Sequence, residues 1–199
     1  AAMLYLYLKE GKTRMDYTIS TNADSFTLCI ARGKNKLYQI QITLPKTLKK
    51  IDRELPQRAK DIIDKMMFHT TYGFVDVGNP HIVFFVEVEG AFELDKLAEN
   101  YGYALEQAID PENGINVSFA CQDERDDEWV HLRTWERGAG LTRACGSASL
   151  AAAFLYHKKH SLPCISVIHP EGTLTIDLEE KVMVSDTEHE FRGQTTLWL

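Results

Sequence analysis

Four cysteines, Cys29, Cys121, Cys145 and Cys164, are scattered through 199 residues, and no two form a Cys-x-x-Cys pair. That usage does not suit a disulfide framework. It fits reduced thiols, so a cytoplasmic location is expected. Basic charge is also scarce: Lys+Arg 22 against Asp+Glu 29 gives a formal charge of −7 and a pI near 5.5. Without a basic run there is no footprint for nucleic acid or an anionic membrane surface, and neither is expected as a partner. The longest apolar runs, Ile82–Val86 and Leu150–Tyr156, are far too short to span a bilayer. No charged segment precedes a hydrophobic stretch, so no signal peptide is visible. Metal sets are lacking as well. His157 and His160 lie one helical turn apart with no further ligand, and Asp123–Glu128 lacks the glycine and spacing of a calcium loop. A lone Gly138-x-Gly140 does not make a dinucleotide site.

With 44% hydrophobic and 26% charged residues, the composition is that of a globular chain long enough to bury a core. Ala1–Leu8 is apolar nearly all round and reads as a buried helix that stops at Gly11. Phe26, Leu28 and Ile30 alternate with polar or small residues, as do Tyr38, Ile40, Ile42 and Leu44, which predicts two strands. Residues 46–60, rich in Lys, Arg, Pro and Glu, read as an exposed connector. Ile62, Ile63, Met66 and Met67 suggest a short amphipathic helix after it. Further strands are predicted at Phe74–Val77, Ile82–Glu87, Ile115–Cys121 and Trp129–Trp135. A helix near Leu94–Tyr101 should stop at Gly102. A second apolar helix runs over Gly146–His157, followed by strands at Ile165–His169, Thr173–Leu178 and Val182–Ser185. Strands outnumber helices without strict βαβ alternation, which indicates an α+β fold. A weak repeat is visible. Ala1-Ala2-Met3-Leu4 before Lys9 resembles Ala151-Ala152-Ala153-Phe154 before Lys159, and each is followed by strand, polar turn and strand, at Thr18–Leu28 and Ser166–Ile176. Each half is then expected to be a sheet wrapped round one apolar helix.

Three segments could carry chemistry. Cys145 sits at a predicted helix start beside Gly146, where unpaired N–H groups and the helix dipole favour a thiolate and can hold a carboxylate or phosphate. The plain alternative is a buried structural cysteine. Glu136 and Arg137 end a strand. Arg could grip a carboxylate while Glu takes an ammonium, or the two could form a surface ion pair. Asn79-Pro80-His81 is a turn between strands, in which Asn79 could bind a polar ligand and His81 could tune a proton-transfer group. Asn116, after Gly114, presents the same choice.

Taken together these segments resemble the diaminopimelate epimerase family. The run Trp135-Glu136-Arg137-Gly138-x-Gly140-x-Thr142-x-Ala144-Cys145-Gly146-Ser147 carries the resemblance, with the Gly78-Asn79-Pro80-His81 turn and the Asn116-Val117-Ser118-Phe119 strand in the family's order. Glu171-Gly172-Thr173-Leu174 and Glu188-His189-Glu190-Phe191-Arg192-Gly193 look like the family's C-terminal end. The resemblance implies a cofactor-independent, two-base epimerase acting on a small molecule, diaminopimelate, in lysine and cell-wall biosynthesis. One cysteine takes the α-proton from one face while a second protonates the other. By resemblance Cys145 is the second of these. Gly146 and Ser147 supply helix-start donors to the α-carboxylate, and Asn79, Asn116, Glu136 and Arg137 bind the substrate, with Arg137 on the distal carboxylate. His81 and Glu136 adjust the cysteines' acidity. No metal or cofactor is implied, and homodimerisation is a family expectation.

The implied fold is α+β: two pseudo-symmetric halves, each a curled mixed sheet around a central apolar helix, with the N-terminal half incomplete. Residues 1–45 are expected to be what remains of the N-terminal half, 46–185 a complete C-terminal half, and 186–199 a tail returning to the first half. The family's first catalytic cysteine lies in a C-G-N-x-x-R-C segment leading into a helix like Ala1–Leu8. The sequence starts after that point, and Cys29 lies on a predicted strand. By itself the chain is therefore expected not to invert a stereocentre. The competing expectations are a non-catalytic amino-acid-binding remnant, a half that pairs with a separate N-terminal piece, a cysteine hydrolase using Cys145 with His81, and a racemase of proline or hydroxyproline.

Overall fold

Ile82–Val86 shows no polar alternation because the strand that carries it is covered on both faces. In the computed structural model, which describes residues 14–20, 25–32, 38–46, 48–88 and 90–187, this strand is β6 (Pro80–Val86). Ile82, Phe84 and Val86 pack into one hydrophobic cluster, and Val83 and Phe85 into another on the opposite face. Its neighbours divide their side chains the same way. Phe74 on β5 (Thr70–Asp76) and Val117 and Phe119 on β7 (Asn116–Gln122) join the first cluster, whereas Val75 and Ala120 join the second.

The described strands form a single sheet. β1 (Arg14–Ser20), β2 (Ser25–Arg32) and β3 (Tyr38–Thr43) make an antiparallel meander. β10 (Cys164–His169), β11 (Gly172–Asp177) and β12 (Val182–Thr187) make another. β3 and β12 pair antiparallel, with Ile42 opposite Met183, so the two meanders meet head to head. This is the arrangement expected of the repeat: strand-turn-strand in each half, related across one seam. From β10 the sheet continues through β8 (Trp129–Glu136), β7, β6 and β5 to β4 (Lys49–Ile51), while β9 (Gly140–Thr142) pairs with β8. Among the described residues β1 and β4 end the strand order, and the curled sheet does not close. The pairs β6/β7 and β8/β10 are parallel, each bridged by a helical crossover. The architecture is α+β with two pseudo-symmetric halves.

Three helices lie among the described residues: α1 (Gln57–Asp64), α2 (Ala91–Ile109) and α3 (Gly146–His160). In α3, Ala148, Leu150, Ala151, Ala152, Ala153 and Tyr156 are buried, and the helix touches β5 to β8, β10 and β11. A helix apolar all round is what the inside of a curled sheet requires. Its alanines, and Gly73 on β5, whose Cβ would come within 2.7 Å of Leu155, allow the sheet to approach closely. α2 covers the outer face against β7, β8 and β9, and α1 rests on α2.

Three element assignments differ from the sequence reading. α2 runs through Gly102 to Ile109, because that glycine is a contact and not a stop: a Cβ there would lie 2.6 Å from Cβ of Trp135. The stretch 46–60 is not wholly an exposed connector. It supplies β4, paired with β5, and the start of α1, pinned by buried Leu55 and Ala59. α1 also starts earlier than read and ends at Asp64. Met66 is buried beyond it, whereas Met67 adopts φ 56 and is 90% exposed. The expected helix Ala1–Leu8 and the segment Glu188–Gly193 lie outside the described residues.

Candidate active site at the start of helix α3

Topology brings the chemistry-bearing segments to one end of the sheet. β6 and β7 run parallel, and both start there with His81 opposite Asn116. β8 runs antiparallel to β7 and ends there at Glu136. β10, parallel to β8, ends there at His169. α3 begins at the same end, with Cys145 as its N-cap residue in an extended conformation (φ −142, ψ 110).

Cys145 is 7% exposed, and its Sγ lies 3.3 Å from Oγ of Ser147. Burial pushes the thiol above its ordinary value. Hydrogen bonds from the Ser147 hydroxyl and the Ala148 N–H oppose that rise, and the neighbouring Glu136 carboxylate adds to it. The resting group is therefore a thiol touched by donors that would stabilise a thiolate. Glu136 is half-buried and accepts a hydrogen bond from the Thr142 hydroxyl at 2.5 Å. Thr142 lies within the motif run but has no role in the sequence reading. β9 places it there by folding back onto β8 through a turn in which Gly138 and Gly140 both take φ +80.

A second cluster adjoins this one. Asn116, 4% exposed, is fully engaged. Its Nδ2 donates to the Pro80 carbonyl at 3.1 Å and lies 3.4 Å from Nε2 of His81, while its Oδ1 accepts the Arg137 N–H at 3.0 Å. Asn79 Oδ1 is 3.2 Å from the same His81 nitrogen. His81 is fully buried, and its Nδ1 has no hydrogen-bond partner. Burial first, then the charge of Arg137, lowers its pKa to about 4 against the pull of Asp76, so the ring is neutral at pH 7. The Arg137 side chain is exposed. It packs over Gly114, where a Cβ would stand 2.7 Å from it, and donates from Nη1 to the Asn113 carbonyl at 3.0 Å.

Cys145, Gly146, Ser147 and Glu136 thus form one cluster, and Asn79, His81, Asn116 and Arg137 the other. The shared Glu136-Arg137 step joins them. Sequence reasoning did not find Ser149 and His169. Ser149 Oγ is 2.6 Å from Nε2 of His169, twenty residues away, and only the return of β10 to this end of the sheet brings them together. The other described cysteines stand elsewhere: Cys29 on β2, Cys164 at the start of β10, and Cys121 in a groove of about 440 Å³. That groove opens at the opposite end of the sheet and includes Leu155, Tyr156 and Lys158 to His160 of α3 but none of the site residues. Convergence of polar groups, not cavity size, marks the site. Among the described residues no helix is long and apolar enough to cross a membrane.

A diaminopimelate epimerase family model matches residues 73–190, more than half of the chain. The chain is 39% identical over 147 residues to a diaminopimelate epimerase of Bartonella bacilliformis, covering 68% of this chain and 50% of that protein. It is 37% identical over 151 residues to that of Bartonella henselae, covering 71% and 51%. It is 36% identical over 138 residues to that of Rhodopseudomonas palustris, covering 66% and 44%. The chain spans about half the length of these curated relatives. Two solved structures share the fold. A hydroxyproline epimerase from Agrobacterium vitis, with bound trans-4-hydroxy-L-proline, superposes with TM-score 0.60 at 12% identity over 94% of this chain and 62% of that one. A phenazine biosynthesis protein of the PhzF family from Enterococcus faecalis superposes with TM-score 0.57 at 15% identity over 94% and 66%.

Proposed function

The chain belongs to the diaminopimelate epimerase family, and we propose that it carries one half of a two-thiol site that interconverts LL- and meso-diaminopimelate without a cofactor. The observation that carries this reading is Cys145 at the N-cap of α3, its thiol held against Ser147 Oγ and the Ala148 N–H with Glu136 alongside. An α-carboxylate at that helix start would meet the Gly146 and Ser147 N–H groups and the dipole. Its Cα then lies over the thiol.

The remaining residues suit a substrate with charge at both ends. Arg137 is exposed and held by a single side-chain hydrogen bond to the Asn113 carbonyl, which a bidentate grip on a distal carboxylate exceeds. Glu136 faces the cluster as the acceptor for an ammonium group. Asn79 and Asn116 line the junction on either side of Nε2 of neutral His81, which donates to Asn79 in one tautomer or accepts from Asn116 in the other and adds no charge. Because burial and Glu136 keep the proton on Cys145, this thiol acts first as the acid that protonates the carbanion. It becomes the base for the reverse direction once the proton has passed on. Stereoinversion needs a second group on the opposite face, which the family resemblance assigns to a cysteine in a segment preceding Ala1–Leu8. With Cys145 alone, its minor thiolate form takes the α-proton, the resulting thiol exchanges with solvent, and the solvent-derived proton returns to the same face, so the 199-residue chain is expected to exchange the α-proton slowly without inverting it.

Incubation with meso- and LL-diaminopimelate in D2O, followed by NMR, tests this. The expected result is deuterium at Cα without inversion, reduced by about 100-fold or more in Cys145→Ala, the usual scale for losing a general acid–base group. Inversion by the chain, or exchange that survives Cys145→Ala, would sink the reading.

A further inference from the structure

Ser149 lies in the second turn of α3 with no exposed surface, and His169, 6% exposed, lies at the end of β10. The Ser149 hydroxyl is 2.9 Å from the Cys145 carbonyl and 2.6 Å from Nε2 of His169. A hydroxyl has one proton to give, and a carbonyl only accepts. With the serine proton on the Cys145 carbonyl, the short contact on the other side is His169 Nε2–H donating to the serine oxygen. The carbonyl also takes the Ser149 backbone N–H at 2.9 Å.

A helical serine bonding back to the carbonyl four residues earlier is common. The unusual element here is the buried imidazole, held by a strand, that pins the serine rotamer. What the relay fixes is a peptide plane. In a trans peptide the C=O and N–H point in opposite directions. With the Cys145 carbonyl tied down along the helix, the Gly146 N–H of the same plane points out of the helix start, beside the thiol. On the far side Met183 packs closely: a Cβ on Gly146 would come within 3.3 Å of its Cε.

We propose that His169 and Ser149 are positioning residues: through the relay His169 Nε2–H to Ser149 Oγ–H to Cys145 C=O, they orient the Gly146 N–H that receives the substrate's carboxylate. This rests on the reading of Cys145 and Gly146 as the start of the active-site helix. The charges facing His169 agree with a neutral donor. Burial, then Arg133 on β8, lowers its pKa to about 4, opposed by Glu136 at the end of the same strand. Neither residue touches the reacting atoms, so neither is catalytic in its own right.

NMR of the whole chain tests the relay in two steps. Imidazole nitrogen shifts at pH 7 should report His169 as the neutral Nε2–H tautomer, and an Nδ1–H tautomer overturns the proposal without any variant. The Gly146 amide is then followed while sodium acetate, and separately meso-diaminopimelate, is added to the parent chain, Ser149→Ala, His169→Leu and His169→Gln. Far-UV circular dichroism checks each fold. Ser149→Ala replaces a hydroxyl with a good helix former and should stay folded. The expected result is acetate binding weakened about three- to tenfold in Ser149→Ala and His169→Leu, the scale of one misdirected hydrogen bond. His169→Gln, whose amide can donate from the same place, should restore it. Equal acetate affinity in the parent and Ser149→Ala, or no response of the Gly146 amide to acetate in the parent, overturns the relay. Relay-dependent acetate binding with no response to meso-diaminopimelate supports the relay and overturns the substrate assignment alone.

Discussion

His81 and His169 are both buried, and both have pKa values lowered to about 4 from 6.5, with burial as the leading cause. A group whose folded pKa is depressed binds fewer protons in the native state than in the unfolded one. Its contribution to stability is complete above pH 6.5 and lost as pH falls toward 4. Each shift corresponds to a loss on the order of 2–3 kcal/mol across that window. Asp123, held low chiefly by hydrogen bonds from Arg125 and then by His131, weakens the fold only at still lower pH. The thermal unfolding midpoint is therefore expected to fall steeply between pH 6.5 and 4, and His169→Gln should remove about half of that slope. A flat midpoint over this range, measured by circular dichroism, would contradict the buried, neutral state of both rings. Legibility in the sequence at this scale follows chain distance. Glu136, Arg137, Cys145 and Ser147 stand close together in one run, and the resemblance could name them. Asn116 was named without the partners that define it, the Pro80 carbonyl and the Arg137 N–H, because hydrogen bonds across 36 and 21 residues leave no local pattern. Ser149 and His169 escaped for the same reason.

Among the elements, Gly102 separates what composition suggests from what packing requires. In a helix interior glycine costs about 1 kcal/mol relative to alanine. At this position it lets α2 lie against Trp135, whose Nε1 donates to Glu106 on the same helix at 2.9 Å. Gly102→Ala places a methyl 2.6 Å from a strand Cβ that cannot rotate away. The overpacking cost, typically about 1–3 kcal/mol, exceeds the propensity gain. Gly73→Ala meets only the outer carbons of Leu155, at 2.7–2.8 Å, which can swing aside, so it should cost less. Urea denaturation of the two variants should place the Gly102→Ala midpoint below that of Gly73→Ala, and the reverse order would mean that α2 is free to shift. The same contrast explains the misplaced helix end in the sequence reading. Periodicity locates a helix, but a glycine that ends one and a glycine that admits a neighbour look alike until the neighbour is known. The strands were legible because alternation and continuous apolar runs follow directly from burial on one face or two, as β2 and β6 illustrate.

Over the whole molecule burial is uneven among the described elements. α3 is enclosed by β5 to β8, β10 and β11, and α2 covers β7 to β9, whereas β4 is three residues long, ends the described sheet and exposes Lys49 and Lys50. Local stability follows buried contacts. Hydrogen exchange read by mass spectrometry should therefore show two tiers: slow exchange in β6, β7, β8 and α3, and faster exchange in β4. Uniform protection from β4 to β8 would contradict this. The repeat behind the pseudo-symmetry was visible in the sequence as two apolar segments, each leading into strand-turn-strand. The pairing of β3 with β12 was not, since Ile42 and its partner Met183 in register stand 141 positions apart.

That seam has a consequence for packing. Met183 belongs to the joint between the two meanders and also abuts Gly146, at the head of α3. One side chain is thus shared by a strand pairing and by the peptide beside Cys145, so a cavity opened there, as in Met183→Ala, would border both at once.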